Sequence, residues 1–291
     1  MARLAFLGTP DLAVRPLHAL VAAGHDVALC VTRPDRRRGR GGALSPSPVK
    51  VAADELGLPV SHAMEDVAGA DVELAVVVAF GRIIPSSLLD RVPMVNLHFS
   101  LLPRWRGAAP VERAILAGDE QTGVCLMKVE EGLDTGPVYG CRSLLTDELY
   151  LDALRAELVD AGTALLVESL AGGAAGLPVP ELQRGTVTIA PKVIPDELRL
   201  RWDEPAAQLH RVVRLGRAWT TFRGRRLGIL RASPVTESTG DGPPGTLVGT
   251  EVTTGLGRLR LEEVQPESRT PVPAADWARG ARPSVGERLG S

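Results

Sequence analysis

Residues 96–110 read Asn-Leu-His-Phe-Ser-Leu-Leu-Pro-Arg-Trp-Arg-Gly-Ala-Ala-Pro, and residues 132–136 read Gly-Leu-Asp-Thr-Gly. The two segments supply an amide at Asn96, an imidazole at His98 and a carboxylate at Asp134. An amide N–H and a protonated imidazole can both donate to a developing oxyanion, and a carboxylate can hold the imidazolium and move protons. These groups suit the passing of an acyl-type group to an amine, which requires no nucleophilic serine or cysteine.

Asn96 and His98 are predicted to share one side of a strand end. Alternate residues of a strand face the same side, and ligands of an open α/β sheet lie at the carboxyl ends of its strands. An isolated Asn-x-His would more often be an ordinary polar strand end, and Asp134, between Gly132 and Gly136, would more often be a turn aspartate. The attached Ser-Leu-Leu-Pro and the distant Gly-Leu-Asp-Thr-Gly together favour a reactive site.

The first half of the chain alternates short apolar runs with amphipathic stretches, which predicts βαβ units and a mostly parallel sheet in an α/β fold. Asp11 is expected to cap the first helix behind Pro10. The predicted strands are residues 4–7, 27–31, 74–79, 95–97, 124–129 and 138–144, and the predicted helices are residues 12–23, a stretch ending at Gly57, residues 108–117 and residues 151–170.

The composition changes after the long predicted helix. Residues 172–180 are rich in Gly, Ala and Pro, and beyond Arg199 short apolar pieces are separated by Gly/Pro/Ser clusters, which is typical of a small all-β module. A helix at residues 206–215 is expected to lead into that module. The predicted division is therefore a first domain at 1–175, a linker at 176–193 and a C-terminal domain at 194–291.

The composition of the 291 residues, 44% apolar and 23% charged, is that of an ordinary soluble globular protein. No apolar run approaches the ~20 residues that span a bilayer, and no signal peptide is recognised, so we expect a cytoplasmic location. Cys30, Cys125 and Cys141 match neither a metal site nor a disulfide framework and are expected to be reduced and buried. The net charge of −2 conceals arginine clusters at 33–40 and 199–231. Such clusters fit either a polyanion-binding face or the general use of arginine as the surface cation.

The Asn-x-His-x-Ser-Leu-Leu-Pro motif resembles that of the folate-dependent formyltransferases, and its continuation at 104–110 resembles the methionyl-tRNA formyltransferase branch. Further similar segments are Phe-Leu-Gly-Thr-Pro at 6–10, Phe80-Gly81 with Pro85, Ala-Pro-Lys at 190–192, Trp202 and Trp219-Thr220. The resemblance covers nearly the whole chain. It implies a Rossmann-like formyltransferase domain followed by a small OB-like β-barrel that helps to bind tRNA. It also implies 10-formyltetrahydrofolate as co-substrate, initiator methionyl-tRNA as acceptor, no metal, and a role in translation initiation; we expect a monomer.

The resemblance also implies roles for individual residues. The amine of the aminoacyl ester would attack the formyl carbon while Asn96 and His98 hold the oxyanion, and Asp134 would help to move the proton towards the departing N10. The folate cleft, which could equally be the edge of the core, would comprise Phe80, Gly81, Arg82, Ile83 and Ile84. The loop beside the formyl group would comprise Ser100, Leu101, Leu102 and Pro103, with the two leucines expected to pack. The residues expected to contact tRNA are Arg36, Arg37, Arg38, Arg40 and Lys192.

The sequence departs from the family near its second domain, where the segment before Trp219 is shortened and Ile189 replaces a common tyrosine. Three other functions fit parts of the chain. A formyltransferase acting on a sugar nucleotide would keep the three polar groups but should lack the arginine-rich segments. A nicotinamide-dependent oxidoreductase would need Gly-x-Gly-x-x-Gly where this chain has Gly8-Thr9-Pro10, and is excluded. A non-catalytic RNA-binding protein would have no use for the three polar groups together.

Overall fold

The apolar runs of the first half form strands that are buried on both faces. The structure is a computed structural model that describes residues 1–38, 42–235 and 242–290. The chain divides into two compact units. The first unit comprises Met1–Val111, Gln121–Leu145 and Arg155–Pro191, and the second comprises Glu112–Glu120, Thr146–Leu154 and Lys192–Ser291.

Strands and helices are interspersed along the chain as far as Ala190. Within the described residues they are, in chain order, β1 (Arg3–Gly8), α1 (Val14–Ala22), β2 (Asp26–Val31), β3 (Arg36–Arg38), β4 (Ala43–Ser45), α2 (Pro48–Glu55), β5 (Val60–Ser61), β6 (Leu74–Val78), α3 (Ser86–Leu89), β7 (Met94–His98), β8 (Arg106–Gly107), α4 (Pro110–Ala117), β9 (Gln121–Lys128), β10 (Val138–Leu145), α5 (Leu151–Ser169) and β11 (Ile189–Ala190). The elements that follow are α6 (Ala206–Arg214), β12 (Ala218–Phe222), β13 (Arg225–Val235), β14 (Leu247–Val248), β15 (Glu251–Thr253), β16 (Arg258–Pro266), β17 (Val272–Pro273) and α7 (Ala274–Ala281).

The main sheet of the first unit has the order β10-β9-β7-β6-β1-β2-β5. The strands from β7 to β5 run parallel, and β9 and β10 are antiparallel to their neighbours. Every residue of β6 is buried, as expected for a parallel strand covered on both faces. The mostly parallel sheet of the sequence prediction is therefore confirmed. The carboxyl ends of β1, β6 and β7 meet at one edge, which is the edge that carries Asn96 and His98.

The first helix begins later than predicted. Pro10 is extended, and Asp11–Ala13 form a 3-10 turn that is closed by a 3.0 Å hydrogen bond from the Ala13 N–H to the Pro10 carbonyl. α1 then starts at Val14 without a side-chain cap. The prediction that Asp11 caps this helix was wrong, because Asp11 already lies inside the tighter turn.

The second unit contains an antiparallel sheet in the order β12-β13-β16-β15-β14, with β17 paired to β16. Its core includes Val213 of α6 and Ile229, Val252 and Leu259 of the sheet, each fully buried. The prediction of an α/β domain followed by a β-rich one is confirmed. α7 was not predicted; of its eight residues only Ala274 and Trp277 are buried.

The cysteines differ from the sequence prediction. Cys125 and Cys141 are direct partners in the antiparallel pairing of β9 with β10, with their Cα atoms 4.1 Å apart, and they form a disulfide. Cys30 is free and fully buried in β2. The expectation of three reduced thiols was wrong for the pair, because it considered spacing along the chain and could not include the register of two strands.

Labelling with a thiol reagent should reflect this arrangement. The native chain should take up no label, because burial raises the pKa of the Cys30 thiol to about 12 and shields its sulfur. Denaturation alone should give one label per chain, and denaturation with reduction should give three, since the sequence has three cysteines of which two are paired. Intact-mass measurement counts the labels. Three labels on the denatured, unreduced chain would show that Cys125 and Cys141 are free thiols.

Candidate active site

The carboxyl end of β7 carries the first two polar groups. Asn96 pairs in register with Val77 and Met127, and His98 pairs with Cys125. The two residues alternate with Leu97 along the strand and therefore face the same side. Asn96 is partly buried, whereas His98 is buried.

The His98 ring is held on both nitrogens. Nε2 lies 2.9 Å from the Trp105 carbonyl oxygen, and Nδ1 lies 3.5 Å from Asp134 Oδ2. Because a carbonyl oxygen can only accept, Nε2 must carry a hydrogen. Nδ1 is then an acceptor in the neutral ring and a donor only in the protonated ring. The Asp134 carboxylate lies where it can accept a hydrogen bond from Nδ1 when the ring carries a second proton.

Asp134 sits in an unusual loop. Its φ is +50°, a left-handed conformation that aspartate tolerates better than most residues. Oδ2 accepts a 2.8 Å hydrogen bond from the Gly107 N–H, which fixes the carboxylate on the side of His98. It is Asp134 that has the positive φ, and a Cβ on Gly136 would lie 2.0 Å from the Lys128 carbonyl oxygen.

The loop at residues 100–103 packs beneath the site. Ser100 is fully buried, and its Oγ donates to the Arg104 carbonyl at 2.6 Å. Leu101 covers Gly123 so closely that a Cβ there would lie 2.5 Å from the leucine side chain. Leu102 is partly buried, and the buried Pro103 follows a cis peptide bond. Close packing shapes this loop.

The segment at residues 80–84 is divided between core and surface. Phe80 is buried in the core of the first unit with Ile84 packed against that core, whereas Arg82 and Ile83 are exposed, Ile83 to 89%. The Gly81 carbonyl accepts a hydrogen bond from the Arg33 guanidinium. A cavity of about 280 Å³ opens beside this carbonyl at the ends of the parallel strands. Its lining residues include Thr9, Pro10, Arg33, Ser47, Phe80 and Gly81.

Arg36, Arg37 and Arg38 of the first cluster lie on a two-stranded ribbon. β3 and β4 pair antiparallel, and Arg36 and Arg37 are exposed on β3. The backbone of Arg38 belongs to the same strand, while Arg40 lies outside the described residues. Lys192 is exposed in the second unit, and its carbonyl accepts from Arg113 at 3.1 Å.

Sequence reasoning missed a group of polar residues between Glu181 and Ala190. The Gln183 side chain bonds both Arg106 and the backbone of the Asp134 loop. Thr188 Oγ1 accepts from the Trp105 N–H at 2.8 Å. These residues fall in the stretch assigned to a linker. They form no periodic pattern and stand among prolines and glycines, so no local pattern identifies them.

Two kinds of feature are absent from the part of the chain that the structure describes. No group of three or more His, Cys, Asp and Glu side chains is placed to hold a metal ion. No helix in these ranges combines the length and the apolar character needed to cross a membrane.

Comparison with known proteins gives a consistent result. The formyl transferase family matches residues 2–170, and the formyl transferase C-terminal domain matches residues 192–282. A methionyl-tRNA formyltransferase of Streptomyces griseus is 43% identical over 99% of this chain and 99% of that protein. One of Roseobacter denitrificans is 43% identical over 96% of each. Among solved structures, HypX of Aquifex aeolicus in complex with tetrahydrofolic acid has a similar fold, with a TM-score of 0.65 and 19% identity over 98% of this chain and 48% of that one.

Proposed function

The chain belongs to the formyl transferase family, and we propose that it is an enzyme that transfers a formyl group from 10-formyltetrahydrofolate to the α-amino group of methionyl-initiator tRNA, for translation initiation. Relatives named methionyl-tRNA formyltransferase, matched over nearly their whole length, support the acceptor. The observation that carries the chemistry is the Asp134 carboxylate, fixed 3.5 Å from His98 Nδ1 beside the strand end that bears Asn96.

The residues near Phe80 fit a flat heteroaromatic group such as a pterin. The cavity there has one apolar wall at Phe80 and Pro10, and it has polar groups at Thr9, Ser47 and Arg33. Hydrophobic walls with a few placed polar groups are usual for such ligands. We assign folate binding to residues 80–84, with the loop 100–103 shaping the neighbouring wall. When bound, the folate supplies the formyl group on its N10.

Asn96, His98 and Asp134 have different roles in the transfer. The Asn96 amide N–H and the His98 ring hold the oxygen that gains negative charge as the methionyl amine adds to the formyl carbon. Each well-placed donor of this kind is worth roughly 3–4 kcal/mol. Asp134 takes up the proton that the amine must lose. It returns that proton towards the departing nitrogen, so the carboxylate ends the cycle unchanged.

Basic residues are proposed to hold the tRNA. Arg36, Arg37, Arg38, Arg40 and Lys192 would neutralise phosphates, which makes the affinity for tRNA depend strongly on salt. The antiparallel sheet of the second unit is proposed to be OB-like and to bind tRNA as well. We keep the division into a catalytic domain (1–175), a linker (176–193) and a tRNA-binding domain (194–291), and propose a monomer acting in the cytoplasm.

The test is an acceptor comparison with the purified chain. With 10-formyltetrahydrofolate present, formyl-methionine should form on charged initiator tRNA and none should form on uncharged tRNA. An amino-sugar nucleotide offered as the competing acceptor should remain unformylated. Formylation of the sugar nucleotide with none of the charged tRNA would move the chain to another branch of the family and overturn the proposed acceptor.

A further inference from the structure

Gln183 uses the whole hydrogen-bonding capacity of its side chain. Nε2 donates to the carbonyl oxygens of Asp134 and Gly136, each at 2.8 Å. Oε1 accepts from Arg106 Nε at 3.0 Å and from Arg106 Nη2 at 2.7 Å. A primary amide has two N–H donors and one oxygen with two lone pairs, so every site is occupied. The orientation of the amide is fixed by chemistry, because a guanidinium can only donate and a carbonyl can only accept.

These bonds join the two loops that flank His98. Gln183 contacts the backbone on either side of Thr135, and Asp134 in turn accepts from the Gly107 N–H at 2.8 Å. Arg106, which precedes Gly107, is bonded to Gln183. These hydrogen bonds therefore form a closed ring. Gln183 donates to the Asp134 backbone, the Asp134 carboxylate accepts from Gly107, and Arg106, which precedes Gly107, donates to Gln183.

Both loops need these hydrogen bonds because each contains a residue with an uncommon backbone conformation. Asp134 has a φ of +50°, and Trp105, whose carbonyl bonds His98 Nε2, has a φ of +61°. A residue other than glycine keeps such a conformation only when its surroundings hold it there. Without the two bonds from Gln183, the Asp134 carbonyl would be free to rotate, and the carboxylate would leave its position beside His98.

The segment that carries Gln183 is itself fixed to the first unit. Glu181 exchanges two backbone hydrogen bonds with Val138, at 2.7 and 2.9 Å. On the other side, Thr188 accepts from the Trp105 N–H with its hydroxyl and from the Arg106 N–H with its carbonyl. Gln183 thus lies between two anchored points, which gives its side chain a defined position.

We propose that Gln183 is a positioning residue for formyl transfer, which holds the Asp134 carboxylate in its place beside His98. This proposal rests on the proposed function. Gln183 touches neither substrate nor the reacting atoms in this account and acts only through the two loops. A displacement of about 1 Å at a reacting group costs on the order of 100-fold in rate.

The test is Gln183→Glu, which keeps an acceptor for Arg106 and removes both donors to the Asp134 loop. We expect kcat to fall roughly 10- to 100-fold, with the KM for charged tRNA and the binding of tetrahydrofolate, followed by titration, nearly unchanged. In a background of Asp134→Asn the same change should have little further effect, since the group that it positions is already lost. Gln183→Met, which removes the donors without adding a charge, should give the same pattern if the glutamate variant folds poorly.

Gln208→Glu is the matched control. This glutamine in the second unit also accepts from an arginine, Arg211 at 3.1 Å, and donates to a backbone carbonyl, that of Leu116 at 3.5 Å. Its replacement should leave kcat unchanged. Hydrogen exchange gives a readout that does not need activity, because the Gly107 amide should lose protection in Gln183→Glu and keep it in Gln208→Glu.

The outcomes separate the two proposals. An inactive parent chain contradicts the proposed function, while exchange at Gly107 still reports whether Gln183 holds the loop. An active parent with a fully active Gln183→Glu, unaltered exchange, or a kcat loss that simply adds to that of Asp134→Asn overturns the positioning role.

Discussion

Replacing Asp134 with asparagine is expected to lower kcat by roughly 100- to 10,000-fold, the range that a positioned general acid or base contributes. Asparagine can still accept from the Gly107 N–H through its carbonyl oxygen, but it can neither take up a proton nor stabilise a positive charge on His98. Tetrahydrofolate binding, measured by titration, should be nearly unchanged. Equal losses in turnover and folate affinity would show that the role of Asp134 is structural.

Asparagine is the right replacement because of the backbone. At a φ of +50° asparagine is tolerated as well as aspartate, whereas alanine would add strain and confuse a catalytic effect with a folding one. Asp71 offers a matched control, since it lies in the same unit, is exposed and has a φ of +49°. Asp71→Asn should have the parent's activity and thermal stability. A loss of activity in this control would indicate that the substitution acts through the fold.

The positions of elements and side chains could be predicted from the sequence where a local pattern has a single physical cause. Buried parallel strands appear as continuous apolar runs, so β1, β2 and β6 were located to within about a residue or two, near the usual limit for element boundaries. The alternation of Asn96 and His98 on β7 followed from the two-residue period of a strand. Their meeting with Asp134 could be expected only from the motif, because more than thirty residues separate them.

Other features depend on pairings that no local pattern encodes. The Cys125–Cys141 disulfide follows from the register of β9 against β10, and a shift of one residue would send the two side chains to opposite faces. Gln183 is hydrogen-bonded to Arg106, which lies 77 positions earlier in the chain, and to Asp134, which lies 49 positions earlier. The residues next to Gln183 indicate only an irregular stretch. Residues of this kind become visible when the folded contacts are known.

The His98 ring allows an experiment that tells its two nitrogens apart. The amide nitrogen of asparagine stands close to the position of imidazole Nδ1, and that of glutamine stands close to the position of Nε2. If Nδ1 is the donor to the developing oxyanion, His98→Gln should lose about 100- to 1,000-fold in kcat, as expected for one missing oxyanion donor. His98→Asn should lose less, because a neutral donor remains at the Nδ1 position.

The same two variants should have the opposite order in thermal stability from their order in kcat. His98→Gln can keep the bond to the Trp105 carbonyl, whereas His98→Asn loses that hydrogen bond, at a cost of about 0.5–1.5 kcal/mol in the free energy of unfolding. The more active variant should therefore have the lower midpoint of thermal unfolding. His18, exposed on α1, gives control substitutions to asparagine and glutamine that should change neither property. If glutamine were both the more active and the more stable replacement, Nε2 would be the donor, and the bond to Trp105 would have to break during the transfer.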